Sequence, residues 1–246
     1  MIGIQIIRLQ AVNSTNNYAN GQLMENELPD GTVFLAYEQI SGRGQMNNFW
    51  ESEPGKNLTF SIVVYPDFLD IRRQFMLSKV VTLGIYHALN KYVANLRIKW
   101  PNDIYAGDKK LGGILIENSI MNSSIKSSVI GIGINVNQTD FRSNAPNPVS
   151  LKTLTNQQFD SDQILNEILS GIDLYYYLLR GGEEERIDRE FISVLYRVDE
   201  KHWFRAEEEV FEGEIFGVNE IGQLLIRKND GEIVDFHFKE VEFLHM

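Results

Sequence analysis

Four polar segments of the chain combine residue types that could bind an anionic substrate. The first, "SGRGQMNNFW" (residues 41–50), places Arg43 between Gly42 and Gly44 and ends in Trp50. Glycines on both sides of an arginine let the backbone approach a bound group closely, and a guanidinium can hold a phosphate or carboxylate through paired hydrogen bonds. Taken alone, the segment is also explained as a surface loop with a solvated arginine.

The second segment, "KWPND" (residues 99–103), places polar groups at the end of a predicted strand. Pro101 ends that strand, so Asn102 and Asp103 project beyond it, which is a usual location for binding groups. Asp103 on its own is also explained as a turn residue.

The third and fourth segments place a lysine and an asparagine beside glycines. In "KLGGILIE", Lys110 precedes Gly112 and Gly113, where missing side chains leave room for a ligand next to a strand. We interpret Lys110 as a group that could neutralise a carboxylate and a phosphate together, although an exposed lysine at a hairpin end is the alternative. In "GIGIN", Asn135 lies in an apolar strand, so its amide must find a partner in the protein or in a ligand.

Composition excludes several kinds of chemistry. The 246 residues carry a formal net charge of −11, which argues against nucleic acid as the main partner. There is no cysteine, and therefore no disulfide, thiolate metal site or cysteine nucleophile. The four histidines, which lie in no motif, are predicted to be surface or hydrogen-bonded core residues: His87, His202, His237 and His245.

The N-terminal sequence and the hydropathy predict a cytoplasmic protein. "MIGIQIIRLQ" has neither the basic start nor the cleavage site of a signal peptide. No apolar run approaches the roughly 20 residues that cross a bilayer, so no membrane partner is expected.

The elements that must position these residues are predicted from periodicity and turn signals. We expect strands over residues 2–9, 32–37, 57–65 and 96–100, a hairpin with arms in residues 103–107 and 110–120, and a central strand over 127–137. Amphipathic helices are expected over residues 71–93, 162–180 and 183–196, with Ser14 and Thr15 as caps of an earlier helix. Residues 139–150 are predicted to form a loop.

Short alternating strands with turns after Lys201 indicate a change of architecture near residue 200. We therefore predict two domains, residues 1–199 and 200–246. The fold class is α+β, with a mixed sheet flanked by helices and a small C-terminal β-barrel.

Together, "NST", "EQISGRG", "KWPNDI", "KLGGILIE" and "GIGINVN" closely resemble, in order and spacing, the biotin protein ligases. The resemblance covers essentially the whole chain. It implies a class II synthetase-like catalytic domain of the biotin/lipoate ligase type, with a C-terminal barrel of the Src-homology type.

The resemblance also implies a reaction. In this family the biotin carboxylate attacks the α-phosphate of Mg-ATP, which gives biotinyl-AMP and pyrophosphate. A lysine amine on an apo biotin carboxyl carrier protein or domain then displaces AMP. Biotin and ATP are thus the expected substrates, and Mg²⁺ is expected through ATP rather than at a metal site of the protein.

By the same resemblance, a role is expected for each matching residue. Lys110, Arg43 and Asp103 would be catalytic, and Asp103 would orient or deprotonate the acceptor lysine. The residues expected to bind biotin are Ser14, Thr15, Asn16, Gln39, Gly42, Arg43, Gly44, Gln45, Lys110, Gly112 and Gly113. Those expected to bind ATP are Arg43, Trp50, Asn102, Lys110 and Asn135, with Trp50 covering the adenine.

Two features depart from the best-known form of the family. Many members continue "GRGRxGRxW", whereas this chain has Gln45 and Asn48 at the arginine positions and Asn47 at the glycine. This puts in doubt how tightly the intermediate is retained and which groups hold the β- and γ-phosphates. The first catalytic strand also begins almost at Met1, without the winged helix-turn-helix of the regulatory members, so operator binding is not expected.

Three alternatives are weighed against this interpretation. Octanoyl transferases act through a cysteine thioester, which this chain cannot form. Lipoate ligases usually contain Arg-Arg-x-x-Gly-Gly-Gly, which is absent here. A module that only sequesters biotin or its adenylate is the third. The oligomeric state is left open between monomer and homodimer.

Overall fold

Seven strands form the larger of two β-sheets. The computed structural model describes residues 1–45, 48–121, 124–143 and 147–244. The strands are β1 (Ile6–Val12), β2 (Thr32–Gln39), β3 (Leu58–Val64), β4 (Leu96–Lys99), β5 (Asp103–Ala106), β6 (Lys109–Met121) and β7 (Ser124–Ile134). Their order is β1-β2-β3-β7-β6-β5-β4, with β1 and β2 parallel and the other neighbours antiparallel. The predicted mixed sheet, hairpin and central strand are confirmed.

Helices cover both faces of this sheet. They are α1 (Thr15–Glu25), α2 (Phe75–Leu89), α3 (Leu151–Thr155), α4 (Ser161–Arg180) and α5 (Glu184–Ser193). Phe34 packs in a small cluster with Ala19 of α1, whereas Val33 and Leu35 belong to the large core on the opposite face. The alternation of side chains along a strand produces this division, and it places α1 on the face that carries the cavity described below.

Helix α2 lies inside the large core, packed between strands β4–β6 and helix α4. The spacing of its apolar residues predicts an amphipathic helix, but Ser78, Lys79 and Thr82 on its polar side are buried too. The reason is that α4 and α5 cover the side that would otherwise meet solvent. At the crossing of α2 and α4, a Cβ on Gly84 would lie 2.5 Å from the backbone nitrogen of Ile172, so the two helices meet backbone to backbone.

One ion pair connects α2 to α5 within this core. Lys79 is 2% exposed, and its Nζ lies 2.8 Å from Asp188 Oδ1. The ammonium also lies 5.6 Å and 5.7 Å from the ring centres of Phe75 and Phe191. A buried charge without its partner is costly, whereas an apolar replacement of the whole pair often is not.

We therefore expect Asp188→Ala to lower the free energy of unfolding by about 3 kcal/mol, because it leaves the buried Lys79 ammonium without its partner. The double variant Lys79→Met/Asp188→Ala should recover most of that loss. Urea denaturation of the variants measures both values. Glu185→Ala, on the exposed side of α5, is the control and should stay within about 0.5 kcal/mol of the parent. Equal stability of Asp188→Ala and Glu185→Ala would contradict the interpretation.

The smaller sheet is antiparallel and consists of β8 (Lys201–Ala206), β9 (Glu209–Val218), β10 (Leu224–Lys228), β11 (Ile233–Phe236) and β12 (Glu242–Phe243). Its order is β11-β10-β9-β8-β12, and among the described residues no pairing of β11 with β12 closes it. In place of the predicted small C-terminal β-barrel, the described residues form a five-stranded antiparallel sheet that stays open at its two outer strands.

Several element boundaries differ from those predicted. β1 begins at Ile6 rather than at residue 2, because Gly3 adopts a φ of 83° that breaks the extended chain. Residues 71–73 form a separate 3-10 turn capped by Asp70, so α2 begins only at Phe75. Helix α3 and strands β8 and β12 were not predicted. Of the predicted loop over residues 139–150, residues 144–146 lie outside the described part of the chain.

Two other sequence predictions concern the histidines and the membrane. His87 and His202 each have a ring nitrogen within 2.9 Å of a glutamate carboxylate, and His237 lies 3.1 Å from the Gln223 amide. His245 is outside the described residues. No helix in the described ranges has the length and apolar character needed to cross a bilayer.

Candidate active site

A cavity of about 690 Å³ lies on the α1 face of the larger sheet. Its wall is built from the start of α1, the glycine-arginine loop, the ends of β4–β7 and the segment that joins β11 to β12. Twelve of the residues predicted for the site line it: Ser14, Thr15, Asn16, Gln39, Arg43, Gly44, Gln45, Trp50, Asn102, Asp103, Lys110 and Gly113. Residues distant in sequence are therefore gathered around one space of ligand size.

The ion pair between Lys110 and Asp103 lies in the cavity wall. Lys110 Nζ is 2.7 Å from Asp103 Oδ1, and both side chains are about one-fifth exposed. Their strands are neighbours, and β5 pairs Asp103 directly with Gly113 of β6. A Cβ on Gly113 would lie 3.2 Å from Asp103 Oδ1 and 3.4 Å from Lys110 Nζ. The glycine thus leaves the space in which the charged pair forms.

Helix α1 begins in a buried polar network at one end of the cavity. Thr15 N and Oγ1 both donate to Gln39 Oε1, at 2.9 Å and 3.1 Å. Ser61 Oγ lies 2.7 Å from Thr15 Oγ1 and donates to Asn16 Oδ1 at 2.7 Å. Ser14 occupies the N-cap position, as predicted, but its side chain makes no capping hydrogen bond and is directed to the cavity wall. Several donors and acceptors therefore meet where a polar ring of a ligand could bind.

The glycine-arginine loop forms the rim of the cavity. Gly44 N donates to Asn48 O at 2.7 Å, and Trp50 N donates to Gly42 O at 2.9 Å. The Arg43 guanidinium donates to Asn17 Oδ1 and, at 2.9 Å, to Glu117 Oε1. In this conformation Arg43 is paired at the rim. Asn47, one of the departures noted in the sequence, lies outside the described residues, as does Met46.

Trp50 lies across strand β7 inside the cavity. A Cβ on Gly133 would lie 2.3 Å, 2.6 Å and 2.7 Å from the Trp50 atoms Cε2, Cζ2 and Nε1, so the indole ring rests directly on the glycine backbone. Lys110 Nζ lies 5.9 Å from the Trp50 ring centre. The indole Nε1 and the Gln45 Oε1 are both buried without a hydrogen-bond partner among the described residues. Buried polar atoms in native proteins are nearly always paired, so these two atoms in the cavity wall are suited to hydrogen-bond a ligand.

The residue after Trp50 holds the loop that follows β7. The Glu51 carboxylate accepts the backbone N–H groups of Arg142, at 3.0 Å, and of Ser143, at 2.6 Å, and it also binds the Gln138 amide. Burial raises the pKa of Glu51, but these hydrogen bonds outweigh that effect, so the pKa lies below its usual value. Further along the same loop, Asn147 O accepts from Lys110 N at 2.9 Å. One loop thus contacts both the Trp50 segment and the backbone of Lys110.

Three predicted residues are not part of the described cavity wall. A Cβ on Gly112 would meet the Ile134 side chain, which lies on the other face of the sheet from Gly113. Asn135 is 3% exposed behind the end of β7, where its Nδ2 donates to Val149 O at 3.1 Å. Gly42 packs against the Trp50 backbone and the Gln39 amide. For these residues the structure shows a supporting position, and direct ligand contact stays a prediction.

Other residues of the described wall were not predicted, among them two glycines and two lysines. Gly131 and Gly133 lie two residues apart on one face of β7, next to Asn16 and Trp50 respectively. Their spacing in "GIGIN" was the available signal, because two glycines at period two keep one face of a strand clear. Lys99 belongs to the quoted "KWPND" but was not singled out, and Lys239 had no local signal.

Comparisons with known proteins agree with this geometry. The family model described as "Biotin/lipoate A/B protein ligase family" matches residues 8–135, just over half of the chain. The chain belongs to this family.

Relatives within the biotin/lipoate ligase family point to its biotin branch. The bifunctional ligase/repressor BirA of Bacillus subtilis is 28% identical over 237 residues, which cover 94% of this chain and 72% of that protein. The biotin–[acetyl-CoA-carboxylase] ligase of Paracoccus denitrificans is 27% identical over 207 residues, 81% of this chain and 85% of that protein.

A solved structure of the family extends the likeness to the C-terminal sheet. The biotin protein ligase of Aquifex aeolicus in complex with biotin and ATP superposes with a TM-score of 0.82 at 26% identity, over 99% of this chain and 100% of that one. The predicted resemblance to the biotin protein ligases and the predicted catalytic fold are confirmed.

Proposed function

We propose that this member of the biotin/lipoate ligase family carries out ATP-dependent biotinylation through a biotinyl-AMP intermediate. The observation that carries the proposal is one cavity that contains the Lys110–Asp103 pair, the Trp50 ring on Gly133 and the polar network at Thr15. The relatives named as biotin ligases, and the Aquifex structure with biotin and ATP, support the choice of biotin over lipoate.

In the first step the biotin carboxylate oxygen attacks the α-phosphorus of ATP, and the bond to the bridging oxygen breaks to release pyrophosphate. Two anions must approach each other, so cations near the reacting atoms lower the barrier. We assign that role to Lys110 and Arg43. The network of Ser14, Thr15, Asn16 and Gln39 would hold the biotin ring. Trp50 would cover the adenine, and Asn102 would contact the nucleotide. The remaining predicted roles are kept as the resemblance implies them. Asn135 would bind ATP, and the other residues would bind biotin: Gly42, Gly44, Gln45, Gly112 and Gly113.

In the second step the amine of an acceptor lysine attacks the carbonyl of the mixed anhydride, and AMP leaves with the electron pair. The amine must lose a proton as the new bond forms. Asp103 is the carboxylate of the cavity wall that lies next to Lys110, so we assign it to orient the amine or take that proton. A closed glycine-arginine loop would keep water from the anhydride.

Mg²⁺ would enter this site with ATP. In the described ranges no group of three or more His, Cys, Asp or Glu side chains is arranged to hold a metal ion. Mg²⁺ is commonly held by substrate phosphates and water with one or two carboxylates, and Asp103 would be a candidate carboxylate in the described wall. The ion would neutralise phosphate charge there.

The acceptor we propose is an apo biotin carboxyl carrier protein or domain, and the compartment is the cytoplasm. The net charge of −11 argues against DNA as a partner. We keep residues 1–199 as the catalytic domain and 200–246 as the C-terminal domain, in a monomer or homodimer.

Biotin-dependent exchange between ATP and pyrophosphate tests this function, with lipoate and octanoate as parallel substrates. We expect exchange with biotin alone, followed by transfer to an apo carrier domain. Exchange with lipoate instead would move the protein to the other branch of the family. Tight biotin binding without exchange would identify a sequestering module.

A further inference from the structure

Glu117 of β6 lies beside the cavity and holds the arginine of the glycine-arginine loop. Gly113 and Leu115 line the cavity, and Glu117 follows two residues further along the same face of the strand. Its Oε1 lies 2.9 Å from the Arg43 guanidinium. The same guanidinium also donates to Asn17 Oδ1. Arg43 is therefore held at the rim by one charged and one neutral partner.

Two asparagines of α1 fix the Glu117 carboxylate in place. Asn16 Nδ2 and Asn20 Nδ2 both donate to Glu117 Oε2, at 2.8 Å and 3.2 Å. The other carboxylate oxygen, Oε1, is the one that binds Arg43. The amide donors carry no charge, so they orient the carboxylate without neutralising it. Glu117 can keep both of these hydrogen bonds when Arg43 moves away.

One of these asparagines also contacts the network expected to hold the biotin ring. Asn16 Oδ1 accepts from Ser61 Oγ at 2.7 Å, and Ser61 Oγ lies 2.7 Å from Thr15 Oγ1. Asn16 thus joins the polar network at the start of α1 to the carboxylate that holds Arg43. The residues expected to bind the ring of biotin and the residue expected to bind its carboxylate are therefore connected through Glu117.

The ion pair between Arg43 and Glu117 is weak enough for a ligand to replace. The two side chains are 43% and 28% exposed, and ion pairs at such positions contribute little to stability. A ligand carboxylate and Glu117 compete for the same guanidinium, and the two negative charges repel each other. Both effects oppose the binding of an anion at Arg43, and both disappear when Glu117 loses its charge.

We propose that Glu117 is a positioning residue that makes closure of the glycine-arginine loop depend on a ligand carboxylate. The inference rests on the proposed function and adds to it a residue beside the cavity. Arg43 leaves Glu117 for another anion, so biotin closes the loop and a neutral analogue does not. A ligand shifts such an equilibrium only by its difference in affinity for the two states. Once transfer has converted the carboxyl group to a neutral amide and AMP has left, Glu117 binds Arg43 again and the loop opens.

Calorimetry with biotin and with biotinamide, its neutral analogue, tests the inference. Glu117→Gln keeps an acceptor oxygen for Asn16 and Asn20 but loses the negative charge that holds Arg43. We expect this variant to bind biotin about fivefold more tightly than the parent. Its affinity for biotinamide should stay within about twofold. In biotin-dependent exchange the same change should appear as a lower KM for biotin at an unchanged kcat.

Closure of the loop is measured separately by trypsin, which cleaves the chain after Arg43. Saturating biotin should slow this cleavage in the parent by about tenfold or more, because the closed loop withdraws the bond from the protease. Saturating biotinamide should leave the rate within about twofold. A purely structural role of Glu117 predicts no such difference between the two ligands.

Two control variants separate the charge of Glu117 from its other contacts. Asn20→Ala removes one hydrogen bond of Glu117 and leaves its ion pair with Arg43 in place. Glu25→Gln removes an exposed negative charge at the end of the same helix, α1. Both variants should bind biotin and biotinamide within about twofold of the parent. The thermal unfolding midpoint of each variant reports whether the fold is intact.

The outcomes that would overturn the inference differ from those that would overturn the proposed function. Unchanged or weaker biotin binding by Glu117→Gln would show that Glu117 does not compete with the ligand for Arg43. An equal gain for biotin and biotinamide would remove the dependence on the carboxylate. In each of these cases a parent that shows biotin-dependent exchange retains the proposed function. A parent that neither binds biotin nor exchanges would overturn both.

Discussion

Lys110→Ala is expected to slow biotin-dependent ATP–pyrophosphate exchange by about two to three orders of magnitude. That range is typical when one group that stabilises transition-state charge in an enclosed site is removed. The structure supplies the reason, because both the side chain and the backbone of Lys110 are held in place. Asp103 lies 2.7 Å from it, and its backbone is bonded to Asn147 and Val149 at 2.9 Å each. Exchange at saturating ATP and biotin is the measurement.

Two control variants accompany this prediction. Lys109→Ala removes the neighbouring, exposed lysine, whose side chain leaves β6 on the opposite face because side chains alternate along a strand. It should exchange at the parental rate. Lys110→Gln keeps a hydrogen-bond donor but loses the charge, and should be nearly as slow as the alanine variant. A rate for Lys110→Ala within threefold of Lys109→Ala would show that another cation performs the role.

Gly133→Ala is expected to raise the KM for ATP by about 5- to 150-fold and to leave biotin binding unchanged. A methyl group at residue 133 would occupy space now filled by the Trp50 indole, so the ring must move away from β7. Stacking of a base on an aromatic side chain is worth about 1–3 kcal/mol, which corresponds to this range. The KM for ATP is measured by exchange, and the biotin affinity by calorimetry.

A double-mutant cycle decides whether the effect of Gly133→Ala acts through Trp50. In the background of Trp50→Ala, the change at Gly133 should have little further effect, because the ring that it displaces is gone. Gly21→Ala in α1 is the control, since no heavy atom lies within 4 Å of the added methyl group. Additive effects of Gly133→Ala and Trp50→Ala would contradict the proposed contact.

The periodic parts of the fold were predictable from sequence, and the boundaries that depend on single residues were not. Apolar spacing correctly predicted α4 and α5, and the central position of β7 followed from its apolar run. Gly3 and Asp70 shifted the starts of β1 and α2, because local turns interrupt the chain there. The burial of Lys79 had no local signal, since it results from the packing of α5.

The site shows the same limit. The residue types and neighbours of Lys110, Asp103 and Trp50 in the sequence indicate their chemistry, and all three line one cavity. Lys239 lies in that wall because the C-terminal sheet packs beside the larger sheet. No short sequence motif around Lys239 predicts this packing. Gly112 and Gly113 are adjacent in sequence, but the strand directs them to opposite faces, so only Gly113 lies in the wall.

The two glycines of β7 have a consequence for substrate length. Gly131 makes room for Asn16 and Gly133 for Trp50, on the same face of one strand. Two residues of a strand span about 6.7 Å, so the backbone repeat itself sets the interval between the two halves of the cavity floor. Mutating the surrounding side chains changes the shape of each half but not that interval. The distance between Gly131 and Gly133 is fixed by the strand backbone. Redesign for a longer or shorter acyl chain must therefore change the side chains that pack on these glycines, such as Asn16 and Trp50.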